Sequence, residues 1–318
     1  MPGVAVLAVV LTLGLPLWVP VALLFDLVRG KWRLPVTRLV AFALCWSWLE
    51  VWGVAVSFAL WASGQVHNVS AHYRLQRMWA GGLMLALRVT VGVSVRVDNV
   101  EVLSPGPALV LSRHASLADS LVSAWAIGNV AGLQPRYVLK RELMADPCLD
   151  IVGHRLPNYF LNRSSHDTAE ELKGVAQLAN DLGPQDVAVI FPEGTRVNDV
   201  KRGKILTSMS ERNPARAARL AQLQRLLPPK PAGAIALMTA APNVDVVIAG
   251  HTGFDGLDTF GGMLRRLECG SHQGRMWFRR VSRADIPDEK LAEWLDDAWL
   301  ALDQEVNDEI AKTSQKVV

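Results

Sequence analysis

The pattern of apolar and polar positions divides the chain into two parts. From Val4 to Phe25 there is no charged residue, and from Leu39 to Ala62 Glu50 is the only one. The first run reaches the about 20 residues that a bilayer-crossing helix needs. Pro16 and Pro20 predict a kink in it. The second run is a poorer span. A charge near its middle costs roughly 2.5–3.5 kcal/mol on insertion scales, and its Trp46, Trp48, Trp52 and Trp61 favour a membrane interface.

Beyond these runs the periods change. "VGVSVRV" at Val91–Val97 alternates with period two, as a half-buried strand does. Short apolar runs predict strands at Ala108–Ser112, Tyr137–Leu139, Val187–Phe191, Ala234–Met238, Val244–Ala249 and Met276–Val281. Helical patterns fall at Asp119–Trp125, Thr168–Asp181, Pro214–Leu227 and Pro287–Val306. Strands interleaved with helices predict an α/β fold. The expected division is a membrane-associated helical region, 1–88, and a catalytic domain, 89–318.

Composition sharpens the first part of this picture. Half of the 318 residues are apolar, eleven are tryptophan, and the net charge is +3. Arg29, Lys31, Arg33 and Arg38 fill the connection between the two runs, and Arg74, Arg77 and Arg88 follow the second. Both basic segments sit on one face of a membrane if the runs form a kinked hairpin that enters and leaves from the same side. A membrane location with the catalytic domain on the cytoplasmic face follows. Cys45, Cys148 and Cys269 are isolated, which suggests neither a disulfide framework nor a metal site. Asn68-Val69-Ser70 matches a glycosylation sequon, a pattern short enough to arise by chance. From Lys201 to Lys230 there are eight basic residues against Glu211 alone, whereas Pro287–Val306 carries seven acidic residues against Lys290. The asymmetry predicts a basic side turned to anionic lipid and an acidic side turned away. A solvated face is the plain alternative.

Candidate chemistry lies in two stretches. In "SRHASLADS" His114 and Asp119 are five positions apart, after a predicted strand. A neutral imidazole accepts a proton from a hydroxyl when a carboxylate holds its other nitrogen. The alternative is a helix-capping Asp119 and an incidental His114. The neighbouring Ser112 and Ser116 lack the G-x-S-x-G elbow of a serine esterase. In "FPEGTR", 191–196, a carboxylate, a glycine and a guanidinium follow a strand. Arg196 has the fork to bind a phosphate, and Glu193 the charge to orient that arginine or a substrate hydroxyl. A salt-bridged surface turn has the same composition.

Together the stretches resemble the glycerolipid acyltransferases, the 1-acyl-glycerol-3-phosphate acyltransferase family. That family carries N-H-x-x-x-x-D and then F-P-E-G-T-R; Arg113 stands here where it has asparagine. "YVLKRELM" at 137–144, "YFLNR" ending at Arg163, and "LLPPKPAGAIAL" at 226–237, with Lys230 for an arginine, resemble its further blocks. "WFRRVSRADIPDEKLAEWLDDAW" is similar to the C-terminal extension of the branch that acylates lysocardiolipin and lysophosphatidylinositol. The resemblance covers about residues 90–305.

It implies a central mixed sheet flanked by helices, behind an N-terminal membrane-embedded helical hairpin. It implies acyl transfer from an acyl thioester, acyl-CoA or acyl carrier protein, to the hydroxyl of a lysophospholipid. Lysophosphatidate is the default acceptor, a larger-headgroup lysophospholipid the rival, and a non-catalytic membrane-binding protein a more remote reading. His114 is then the general base, Asp119 its orienter, and no enzyme serine is acylated. Lys140, Arg163, Glu193, Gly194, Thr195 and Arg196 are expected at the substrate phosphate. No cofactor, no metal and no nucleic acid partner is expected; membrane lipid is.

Overall fold

A computed structural model describes residues 2–116, 118–162, 167–254, 260–268 and 272–315. The first apolar run forms α1 (Pro2–Leu13) and α2 (Leu15–Val28), bent by 77° at Gly14. Pro16 lies in the first turn of α2, where its missing N–H is no loss. Pro20 is accommodated inside α2 without ending it. The second run is α3 (Pro35–Ala62), long and apolar enough by length and composition to cross a membrane. Asp26, buried at the end of α2, begins α3 by accepting from the Val36 and Thr37 N–H groups and the Thr37 hydroxyl.

Glu50 does not face outward from α3. Ser47, Glu50, Gly53 and Ser57 form one buried stripe, spaced by three or four residues. The Glu50 carboxylate accepts from Trp79 Nε1 at 2.9 Å, on α4 (Val69–Ala86), and from the Cys148 N–H at 3.0 Å. A Cβ on Gly53 would lie 2.4 Å from Cys148 Sγ, so glycine is what lets the helix approach this closely. The charge that argued against a span is thus a polar clamp holding α3 to the rest of the molecule.

The remaining elements are β1 (Val93–Asp98), β2 (Ala108–Ser112), α5 (Asp119–Trp125), β3 (Gln134–Lys140), α6 (Pro147–Arg155), β4 (Tyr159–Leu161), α7 (Thr168–Gln177), β5 (Asp186–Ile190), α8 (Asp199–Arg212), α9 (Pro214–Leu220), α10 (Pro231–Ala240), β6 (Val246–Thr252), α11 (Phe260–Glu268), β7 (His272–Val281) and α12 (Leu291–Gln315). The strands form one mixed sheet in the order β1-β7-β6-β2-β5-β3-β4. From β6 to β4 they run parallel; β7 is antiparallel to β6 and parallel to β1. The central β2 and β6 are buried along their whole length, as sheets covered on both faces require. One face packs on α7, α9, α10 and α12 through residues such as Val175, Leu220, Leu237 and Trp299. The other packs on α4 and α5 through Met84, Val122 and their neighbours. The α/β fold with a central mixed sheet is as expected.

Three expectations need correction. The predicted strand Ala234–Met238 lies inside helix α10. Pro231 starts that helix and four of its ten residues are alanine, the best helix former. Its inward residues Ala234, Leu237 and Met238 have helical spacing, which a five-residue apolar run does not reveal. The predicted helix Pro214–Leu227 stops at Leu220. Beyond it the backbone is held by Asp303 of α12, which accepts from the N–H groups of Gln224, Arg225 and Leu226 at 2.7–2.9 Å.

Part of the basic stretch packs against the acidic helix instead of facing away from it. Arg216 makes a forked pair with the buried Asp296, at 2.7 and 2.8 Å, and Arg219 pairs with Asp297. Complementary charge joins the two segments through the fold, so these arginines are not a separate lipid-facing set. Cys45 and Cys148 are free thiols; Cys269 lies outside the described residues.

Candidate active site

Four parallel strands end on the same edge of the sheet. β2 delivers Arg113 and His114, β5 delivers Phe191–Arg196, β3 ends at Lys140, and β6 ends with His251 and Thr252. Polar residues collect at this carboxyl edge because each chain leaves the buried layer there and its backbone groups become available.

Asp119 lies in the first turn of α5, yet its carboxylate turns back rather than capping the helix. Oδ2 accepts from His114 Nδ1 at 3.1 Å and from the N–H groups of Ala115 and Ser116 at 2.5 and 2.7 Å. Oδ1 accepts from the Ser116 hydroxyl at 2.5 Å. The group is buried, which alone would raise its pKa. The nearby His251 and the hydrogen bonds from His114 and Ser116 outweigh burial and bring it down to about 2. An ionised Asp119 accepts only, so the proton of His114 belongs on Nδ1. Nε2 is left with a lone pair. The imidazole ring is tilted at 44° over Phe191, with centroids 5.0 Å apart.

"FPEGTR" makes a tight turn against this pair. Gly194 has φ +68, a left-handed conformation in which glycine meets no Cβ penalty. The Val197 N–H donates to the His114 carbonyl at 3.1 Å, and the Lys230 N–H to the Pro192 carbonyl at 2.8 Å. Glu193 is fully buried and points inward. Its Oε1 accepts from the His114 N–H at 2.7 Å and its Oε2 from the Leu227 N–H at 2.9 Å. Burial pushes its pKa up, to about 8, against the pull of these two donors and of Arg113.

A cavity of about 530 Å³ opens beside the pair. His114, Ser116, Lys140, Gly194, Arg196 and Lys230 line it, with Glu142, Glu171 and apolar residues from Val138 to Gly233. Of the residues expected at a phosphate, Lys140, Gly194 and Arg196 are there. Glu193 is not: it serves as a backbone clip behind the turn, not as a wall of the cavity. Thr195 also lies outside the lining, its hydroxyl 3.5 Å from Lys201 Nζ. Arg163 lies outside the described residues.

The acyltransferase family model matches residues 94–252, half of the chain. The chain belongs to the acyltransferase family. The resemblance seen in its motifs is borne out at that level. No curated protein sequence matches the chain. Among solved structures, the chain is similar to the 1-acyl-sn-glycerophosphate (LPA) acyltransferase PlsC from Thermotoga maritima. Identity is 15% and the TM-score 0.49, over 81% of this chain and 94% of that one.

Sequence reasoning about this acyltransferase missed three residues at the site. Lys230 carries only a motif match in the sequence, yet it lines the cavity. Its signal was the PPKP block, whose prolines hold the chain extended before α10. Ser116 has no role in the motif, but its hydroxyl is committed to Asp119. That bond opposes a role as nucleophile, since the hydroxyl is already donating to a carboxylate. The Ser116→Ala variant should keep turnover, lowered by no more than about tenfold, the worth of one hydrogen bond of about 1.4 kcal/mol. Loss of all turnover in an acyl-transfer assay would revive an acyl-enzyme. The third residue is His251, which nothing in its surrounding sequence marks.

Proposed function

We propose that this acyltransferase moves a fatty acyl group from an acyl thioester to the free hydroxyl of a lysophospholipid, with 1-acyl-glycerol-3-phosphate as acceptor and phosphatidic acid as product. The observation that carries this reading is the His114–Asp119 pair opening onto a cavity that also holds Lys140, Arg196 and Lys230. His114 Nε2 takes the acceptor hydroxyl's proton as its oxygen attacks the thioester carbonyl. The tetrahedral intermediate then collapses, the C–S bond breaks, and the thiolate leaves with the proton from His114. Asp119 fixes the tautomer and stabilises the imidazolium. The acyl donor is acyl-CoA or acyl carrier protein. An acceptor with a larger hydroxyl-bearing headgroup is the second reading, favoured by Glu142 and Glu171 in the cavity lining, since carboxylates accept from hydroxyls; Oε2 of Glu171 already accepts from Tyr159 and Asn162. A panel of lysolipids offered with one acyl-CoA, with products read by mass spectrometry, tests the choice. Phosphatidate as main product supports the first reading; its absence rejects it.

The N-terminal helices support a membrane setting for this reaction. Leu13, Leu17, Val21, Leu24, Phe58 and Trp61 are exposed apolar side chains. With α1 and α2 bent and α3 clamped through Glu50, we read the hairpin as lying in one leaflet at the cytoplasmic face, bringing the domain to its lipid substrate. Residues 1–88 are then the anchor and 89–318 the catalytic part.

Two outcomes follow. Arg196→Lys keeps the charge and loses the fork, so acceptor KM rises with less effect on the thioester KM, and discrimination against a dephosphorylated acceptor falls. Unchanged acceptor KM rejects Arg196 as a phosphate ligand. Among the described residues no group of three or more His, Cys, Asp or Glu side chains is placed to hold a metal ion. Turnover should survive a chelator; loss restored by a divalent ion would contradict this.

A further inference from the structure

A buried histidine outside the motifs approaches the same carboxylate from its far side. His251 is 2% exposed, at the end of β6, the strand paired with β2. Its Nε2 lies 3.2 Å from the Arg113 carbonyl oxygen and 3.5 Å from Asp119 Oδ1. Both are acceptors, so the N–H of this ring belongs on Nε2. Its backbone carbonyl in turn accepts from Arg113 Nη1 at 2.5 Å. Arg113 and His251 therefore hold each other by reciprocal bonds between side chain and backbone, across 138 positions of sequence. Arg113 Nη2 also reaches the Arg225 carbonyl at 3.5 Å. Arg113 immediately precedes His114, so this latch sets where the strand end carrying His114 sits. The Phe254 ring packs edge-on against the His251 imidazole, with centroids 5.6 Å apart.

We infer that His251 is a positioning residue for acyl transfer, holding Asp119 by the oxygen that His114 does not use. Asp119 orients His114 only if its own carboxylate cannot rotate. Oδ2 is fixed by three donors and Oδ1 by the Ser116 hydroxyl, with His251 Nε2 facing Oδ1 from 3.5 Å. The imidazole N–H comes from a different strand, so it ties the turn after β2 to the sheet rather than to itself. A side chain of the same bulk without that N–H keeps the packing and loses the hold. The residue that departs from the family's usual asparagine, Arg113, is what seats His251.

This inference rests on the reading of His114 as the base. Two variants separate position from packing. His251→Gln keeps an N–H near the Nε2 place, and His251→Leu removes it at similar volume. In the full-length protein, with acyl-CoA and lysophosphatidate, the Gln variant should turn over within about threefold of wild type, and the Leu variant about 10–100-fold more slowly, with both KM values within about twofold. If the Leu variant does not fold, His251→Asn, whose shorter amide falls away from Asp119, should show the same kcat loss. Equal kcat in the Gln variant and in the folded variant without the contact would overturn the inference. So would an acceptor KM that rises in step with the kcat loss. His114→Ala, assayed beside them, separates the two failures. Wild-type turnover there defeats the reading of the base itself; a strongly impaired His114→Ala with a fully active His251→Leu defeats the role of His251 alone.

Discussion

The His114→Ala variant is expected to lose about 10²–10⁴-fold in kcat while folding as wild type. The reasoning starts from protonation. The nearby His251 and the hydrogen bonds from His114 and Ser116 outweigh burial and keep Asp119 ionised to strongly acidic pH, so at neutral pH the carboxylate is an acceptor for Nδ1–H. That leaves Nε2 as the basic nitrogen at the cavity wall. Alanine removes the base but leaves the cations of the cavity in place, so binding should change less than rate. The ring packs on Phe191 at the margin of the core, so its removal opens space toward the cavity rather than within the hydrophobic layers. Single-turnover kinetics alongside a melting curve check both halves. Wild-type kcat in a folded His114→Ala variant would sink the mechanism.

Glu193→Ala is expected to act on the fold before it acts on the rate. Its two carboxylate oxygens accept from the N–H groups of His114 and Leu227, and all three groups are buried. Alanine leaves both donors without their acceptor, at about 1–3 kcal/mol each, so about 2–6 kcal/mol in all. Against a total stability of about 5–15 kcal/mol this is a large fraction. The clip also joins three segments: the end of β2, the turn after β5, and the chain before α10. Glu193→Gln should fall between, because its amide oxygen keeps one bond while its NH₂ meets a second N–H. Urea denaturation of the two variants measures the order. An Ala variant as stable as wild type, with only acceptor KM raised, would return Glu193 to the cavity wall as a substrate contact.

What was legible in the sequence was local. Asp119 reaches His114 within five residues, so the turn could be guessed from spacing. The period-two run that becomes β1 and the apolar runs of β2 and β5 carried the sheet. The illegible parts depend on distant partners. Glu193 reads as a phosphate or arginine partner because Thr195 and Arg196 follow it on the same turn; its real partners are 79 and 34 positions away. Glu50 was visibly odd in an apolar helix, but its meaning depends on Trp79 and Cys148. The charge runs gave composition and no pairing, and Arg216 with Asp296 supplied what they lacked. α10 shows a further limit: five apolar residues carry too little period to separate a strand from a helix. His251 had no signal at all beyond being a histidine at the end of an apolar strand.

The most direct test of acyl transfer from thioester to acceptor hydroxyl, with His114 as base, is the stoichiometry of thiol release. Purified full-length protein is given acyl-CoA with and without lysophosphatidate, and free thiol, phosphatidate and the intact mass of the protein are followed together. The mechanism predicts one thiol per phosphatidate formed, no thiol burst without acceptor, no acylated protein, and turnover lowered by about 10²–10⁴-fold in His114→Ala. Thiol release without acceptor accompanied by an acylated protein, or undiminished phosphatidate from His114→Ala, would contradict it.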